Sequence, residues 1–336
     1  MSRRKLERLG LDLPVYPTST VGSFPKPDYL VEARARATKN AITRSELDAL
    51  ERKATEFWIR TQEELGIDVL VDGEQYRGDM VAYFAETMGG FSRGGLVRSY
   101  GNRYYHKPVI TGEVRWPGPI TVDWWKWTQS LTSRPVKGML TGPYTIMDWS
   151  FNDHYADRKA ACLALAGEVR KEVEALLTAG AKVIQIDEPA LSVRPEELGF
   201  AVEAMHRVVD GLPAYYVVHA CFGAFETIYP GLLDLPVDNL DLAISHSALD
   251  LLAMFAQDPF TKDLSLGVLD VHSHTVESAA EVEGRIKRGA GVLSAERIWV
   301  DPDCGLKTRT VEESRGKLAA MMAAVRAVRA AVPSLS

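Results

Sequence analysis

Eight short apolar, β-branched runs recur along the chain, and each closes in polar or glycine residues. That repetition limits the fold more than any other feature. The runs cover residues 18–22, 69–72, 136–140, 182–186, 215–218, 240–244, 266–271 and 297–300. Stretches with helical character fill most gaps, at 44–64, 158–179, 195–209, 225–233, 248–257, 278–288 and 311–331. In 158–179, for example, Leu163, Leu165, Val169, Val173, Leu176 and Leu177 recur near helical spacing. Strand–helix alternation predicts a parallel sheet. Eight repeats predict closure into an α/β fold of the (β/α)8 TIM barrel type, which routinely takes about 250 residues or more in one domain. One domain over residues 1–336 is therefore expected. No G-x-G-x-x-G follows the first run, which argues against a dinucleotide fold.

One interval breaks the rhythm. About 55 residues, 80–135, separate the second run from the third, and a loop of that length usually has a function. It carries Trp116, Trp124, Trp125 and Trp127. We expect an elaborated excursion between strands 2 and 3, with a hairpin over one barrel mouth and the tryptophans packed in that hairpin.

The bulk properties exclude several function classes. Hydrophobic residues make up 46% and charged residues 25%, enough for a large core without staples. The net charge of −6 and the lack of a basic stripe argue against nucleic-acid binding. No apolar run approaches the ~18 residues that a membrane helix needs. The start, MSRRKLERLGLDLPVYP, has no apolar stretch of the secretory kind. Three cysteines, Cys162, Cys221 and Cys304, make no disulfide framework. A reducing, cytoplasmic setting is expected.

Barrel enzymes assemble their sites at the C-terminal strand ends. The residues following the eight runs are Ser23; Asp72 and Glu74; Thr141; Asp187 and Glu188; His219 and Cys221; Ser245, His246 and Ser247; Asp270, His272, Ser273 and His274; and Asp301, Asp303 and Cys304. Two of the 3 cysteines and four of the 7 histidines fall there. His219 and Cys221 form an H-x-C pair whose side chains share one direction on an extended strand. One imidazole with the thiolates of Cys221 and Cys304 is a donor set suited to Zn²⁺. Cys162, on a helix, reads as a small buried hydrophobe. Taken alone, Glu74 and Asp187 read more readily as salt-bridged residues of the barrel mouth than as substrate ligands.

Seven segments resemble the C-terminal, catalytic barrel of the cobalamin-independent methionine synthase family. They are VGSFPKP (21–27), DGEQYRGDMVAYF (72–84), SLTSRPVKGMLTGPYTIMDWSF (130–151), IQIDEPAL (184–191), HAC (219–221), DVHS (270–273) and ERIWVDPDCGLKTR (296–309). The resemblance implies a zinc-dependent barrel enzyme that moves a methyl group to the sulfur of homocysteine. It implies His219, Cys221 and Cys304 as zinc ligands, and Glu74 and Asp187 as the carboxylates holding the substrate amino group. It implies the Ser23 region as the grip on the substrate carboxylate and His272 as a proton donor or relay. Trp149 and Arg103 correspond to the methyl-donor site.

Two departures stand out. The family's fourth zinc ligand is a Glu, and the corresponding position here falls on His246, which is read either as the fourth ligand or as a residue behind the ligands. A lone barrel also resembles the core methionine synthases, which take their methyl group from a cobalamin-bearing protein. Methylcobalamin on a corrinoid partner protein is therefore an expected donor, with methyltetrahydrofolate the other. Competing readings are a zinc-dependent alkyltransferase for another small thiol, such as coenzyme M, and a non-catalytic module that binds a methyl carrier. Retention of Glu74 and Asp187 favours an amino-acid thiol.

Overall fold

The structure is a computed structural model and describes residues 2–99, 103–221, 225–245, 254–255 and 257–332. In chain order the elements begin with α1 (Ser2–Arg8), α2 (Asp28–Thr38), α3 (Arg44–Leu65) and α4 (Met80–Thr87). The excursion follows, with β1 (Gly89–Ser99), β2 (Arg103–Arg115) and α5 (Val122–Ser130). Then come β3 (Gly138–Thr141), α6 (Pro143–Asp148), β4 (Phe151–Asn152), α7 (Arg158–Ala179), β5 (Val183–Asp187) and α8 (Leu198–Val209). The rest are β6 (Tyr215–Ala220), β7 (Asn239–Leu242), β8 (Asp263–Gly267), α9 (Ala279–Ala290), β9 (Ile298–Asp301) and α10 (Val311–Ala331).

Six of the strands form a parallel sheet in the order β3-β5-β6-β7-β8-β9. Two single parallel bridges close it, Thr18 to Val300 of β9 and Leu70 to Val136 just before β3. The Val69 amide joins the two closing segments by donating to the Thr18 carbonyl at 3.0 Å. The first two expected strands thus occupy their places in the barrel as bridges rather than as ladders. Side chains serve the main chain where the ladder is missing. Asp68 accepts from the Thr18 amide and hydroxyl at 2.8 and 2.7 Å. Gln62 donates to the Val71 carbonyl and accepts from the Val71 amide. The Ser19 hydroxyl donates to the Val69 carbonyl.

The seventh strand departs from expectation. The run at 266–271 predicts a strand, but β8 ends at Gly267. Past it, Val268 donates to Asp301 and Asp270 donates to the Glu277 carboxylate, so the chain turns while remaining buried. An apolar run does not separate a strand from a buried turn. The helix expected at 225–233 is instead two 3-10 turns, Phe225–Thr227 and Gly231–Asp234. Pro230 between them has no amide to donate. Most of the helix expected at 248–257 lies outside the described residues.

The remaining helices start where local chemistry says they should. Thr43/Glu46, Ser278/Glu281 and Thr310/Glu313 form reciprocal capping boxes at α3, α9 and α10. Gly66 and Gly180 end α3 and α7 in left-handed conformations that favour glycine. Leu6, Leu11 and Leu13 pack with the inward side chains Val69, Val183, Tyr215, Val217 and Trp299, so the N-terminal segment plugs the barrel floor.

The excursion holds the expected hairpin, β1 antiparallel to β2, with β4 added beside β2. Its tryptophans sit differently from expectation. Trp124, Trp125 and Trp127 lie on α5, with the Arg52 guanidinium over the rings of Trp124 and Trp127 at 5.1 and 4.5 Å. Buried Glu172 of α7 ties the segment down. It accepts from the Trp116 indole, the Ile120 and Thr121 amides and the Thr121 hydroxyl. Glu172→Ala orphans these donors and is expected to lower the unfolding free energy by about 2–4 kcal/mol. Urea denaturation reads this, and an unchanged midpoint would show that Glu172 does not anchor the excursion.

Candidate metal and substrate site

Alternation along β6 turns Tyr215, Val217 and His219 into the barrel. Cys221 follows one residue past the strand, and Cys304 stands three residues past β9 in the Asp-Pro-Asp-Cys turn. One ligand atom from each of His219, Cys221 and Cys304 lies within 4.8 Å of the others. His219 is buried, and neither ring nitrogen makes a hydrogen bond. Hydrogen bonding from Cys221 holds the Cys304 thiol well below the usual thiol range, against burial and with help from His219. The same bond, with burial, pushes Cys221 up. Burial disfavours the protonated His219 ring, but the neighbouring Asp241 carboxylate outweighs it and raises the pKa. Two converging thiols and an orphaned buried imidazole fit a soft divalent ion.

The segment leading to His246 is tethered here, because the amide and hydroxyl of Ser245 both donate to Asp303. His246 itself lies outside the described residues, as does the side chain of Arg103.

The substrate candidates meet on the same side. Glu74 has a left-handed backbone, φ 55°, and its amide donates to Asp72 at 2.8 Å. Such a conformation is costly for a residue with a β-carbon and persists only where its surroundings hold it. Here a buried guanidinium does so. Arg77 Nη2 donates to Glu74 Oε1 at 2.6 Å and lies 3.9 Å from Asp187 Oδ2. Burial raises the Glu74 pKa, but Arg77 more than compensates and holds it below the usual value. Asp187, at the end of β5, is pushed up to about 6, chiefly by burial. Gly22 leaves room for Glu74, whose Oε1 would lie 2.6 Å from any β-carbon there. A β-carbon on Gly305 would collide with the Ser23 hydroxyl, so the turn bearing Cys304 packs directly on Ser23.

Thus Ser23 touches the Cys304 turn, Glu74 and Asp187 share Arg77, and Asp187 is the register neighbour of His219. Other candidates stand apart. Glu188 is taken up by the start of α6, accepting from the Tyr144 and Thr145 amides. His272 lies on an exposed turn beyond β8, and its amide donates to Asp270. Trp149 follows α6, half-buried against the core. His274 pairs with Glu313 on the surface. Sequence reading missed Arg77 and Asp241. Arg77 sits three residues after Glu74, and Asp241 sits at an inward position of β7 beside His219.

Residues 16–327 match the family described as the catalytic domain of cobalamin-independent synthase. The chain belongs to this family. It is 42% identical over 340 residues to a 5-methyltetrahydropteroyltriglutamate–homocysteine methyltransferase of Chelativorans sp., covering 98% of this chain and 44% of that one. A Flavobacterium johnsoniae protein of the same name is 42% identical over 343 residues, with the same coverage. The chain thus spans less than half the length of these relatives. A B12-independent methionine synthase from Shewanella sp., solved with selenomethionine, superposes with a TM-score of 0.85 at 26% identity. That match covers 96% of this chain and 100% of the other. A methyltransferase from Methanosarcina mazei, 16% identical with a TM-score of 0.66 over 97% of this chain and 98% of its own, shares the fold. The family's description and its relatives' names lend no support to a methylcobalamin donor or a corrinoid partner. No helix among the described residues is long and apolar enough to cross a membrane.

Arg77→Leu removes the buried guanidinium shared by Glu74 and Asp187 and should cost about 3–5 kcal/mol at neutral pH. Protonation relieves them. The folded pKa of Asp187, about 6, lies above its ordinary 3.8, so the carboxylate weighs against folding above pH 6 and that penalty fades as pH falls. The loss should therefore be greater at about pH 7.5 than at about pH 5. Urea titrations at both pH values check this, and an equal loss at both would overturn the assigned role.

Proposed function

We propose that this chain is a zinc-dependent methyltransferase that moves a methyl group from a 5-methyltetrahydropteroyl polyglutamate to the sulfur of homocysteine, giving methionine. The observation that carries this is the convergence of His219, Cys221 and Cys304 beside the carboxylates Glu74 and Asp187. The relatives' names, and the selenomethionine bound to the Shewanella protein, supply the substrate and product class.

A thiol near its ordinary pKa is mostly protonated at neutral pH, and the thiolate is the nucleophile. Zinc, when bound, would keep the substrate thiol deprotonated. His219, Cys221 and Cys304 would hold it, with His246 as the fourth protein ligand. Glu74 and Asp187 bind the substrate ammonium and turn its sulfur toward that centre, while the Ser23 segment takes its carboxylate. Positioning of this kind lowers a barrier by fixing the reacting atoms before they meet. The methyl carbon leaves the donor nitrogen for sulfur, and the nitrogen takes a proton in exchange. We assign that proton to His272, and the donor contacts to Trp149 and Arg103. The two carboxylates argue against a thiol without an amino group, such as coenzyme M.

Purified protein should contain about one zinc per chain, since one donor set of this kind stands among the described residues. It should form methionine from homocysteine with 5-methyltetrahydropteroyltriglutamate and not with methylcobalamin. Cys304→Ser should lose zinc and methyl transfer together. Metal analysis with a methionine assay tests all three statements. Methionine formation by metal-free protein, or a Cys304→Ser variant that keeps both properties, would overturn the assignment.

A further inference from the structure

We infer that Asp241 is a positioning residue for the metal centre, fixing the His219 imidazole so that Nδ1 carries the proton and Nε2 faces the two cysteines. The inference rests on the metal-binding role proposed for His219, Cys221 and Cys304.

Three observations carry it. First, His219 and Asp241 are register partners on the adjacent parallel strands β6 and β7, so both side chains enter the barrel at one level. Second, Asp241 Oδ2 lies 3.1 Å from His219 Nδ1, within reach of a hydrogen bond once the ring turns slightly about its Cβ–Cγ bond. Third, Asp241 is fully buried, and among the described residues neither of its oxygens accepts a hydrogen bond.

The groups nearest in kind are committed elsewhere. The Lys137 ammonium donates to the Thr20 carbonyl at 3.0 Å and to Gln185 Oε1 at 2.7 Å. The Asn239 amide donates to the Ser265 hydroxyl at 3.1 Å. A buried carboxylate without a partner is strongly unfavourable. Among the described residues, His219 Nδ1 is a buried polar atom without a hydrogen bond of its own that lies 3.1 Å from Asp241, while the Lys137 ammonium contributes charge but spends its hydrogen bonds elsewhere.

Chemistry follows from that pairing. An imidazole donates to a metal through one nitrogen, and the hydrogen bond made by the other decides which. With Nδ1–H directed at Asp241, the lone pair of Nε2 is the free donor. A carboxylate behind the ring also makes that nitrogen a stronger ligand, and losing such a partner typically weakens metal binding by about 10–100-fold. Asp241 is not one of the converging donors, because the mutual 4.8 Å cluster contains only His219, Cys221 and Cys304 among the described residues.

The test uses the full chain and the variants Asp241→Ala and Asp241→Asn. Zinc affinity is measured by chelator competition and the ligand field by the visible spectrum of the cobalt(II) form, with urea midpoints confirming the fold. Asp241→Ala should bind zinc about 10–100-fold more weakly and shift the cobalt bands. Asp241→Asn keeps an acceptor opposite Nδ1 and should recover most of the affinity and the parent spectrum. If either variant fails to fold, the other still decides. Parental affinity and spectrum in Asp241→Ala, or equal damage in both variants, would overturn the inference while leaving the metal reading intact. A parent chain that binds no metal would instead overturn the metal reading, and this inference with it.

Discussion

Closure of the barrel is the constraint on which the rest of the structure depends. The six-stranded sheet would be open at both edges without the segments around Thr18 and Leu70. Those segments do not build ladders. They are held by side chains that take over main-chain hydrogen bonds, with Asp68 on Thr18, Ser19 on Val69 and Gln62 on Val71. Arg329 of α10 donates to the same Asp68 carboxylate, which binds the last helix to the closing seam. Closure also sets the chemistry. It places Ser23 against the turn that carries Cys304, and Glu74 within reach of a guanidinium shared with Asp187. An open sheet of the same strands would leave these groups at opposite edges.

A second constraint is charge balance inside the closed wall. The barrel interior holds Lys137, Asp187, His219, Asp241 and Asp301, all buried. Each is tolerable only beside a compensating group, because an isolated buried charge is strongly disfavoured. Arg77 sits between Glu74 and Asp187 and keeps Glu74 ionised despite its burial. Asp241 faces His219. Burial pushes Asp301 well above the usual carboxylate range, with the Asp241 charge adding to it. The same low-dielectric surroundings that make these charges costly strengthen the interactions among them.

Much of this arrangement could be read along the chain. The run at 215–218 already placed His219 at a strand end, sharing a direction with Cys221, and H-x-C with a distant cysteine already suggested a soft metal. The helical stretches expected at 44–64, 158–179 and 311–331 coincide with α3, α7 and α10 to within a residue. Arg77 could not be found this way. An arginine three residues after a glutamate usually reads as a solvated helix pair, and only the fold shows it 98% buried between two carboxylates. Asp241 was hidden in the run 240–244, whose other residues are all apolar.

By itself, then, the sequence determined the alternation of strands and helices, the identity of the metal-ligand candidates and the family motifs, because these depend on local periodicity and on residue chemistry. The tertiary structure alone decided where β8 ends, which strands close by bridges, and which charged groups face one another. Those outcomes depend on contacts between segments far apart in the chain. His219 and Cys304 are 85 positions apart, and only the curvature of a closed parallel barrel brings their ligand atoms together.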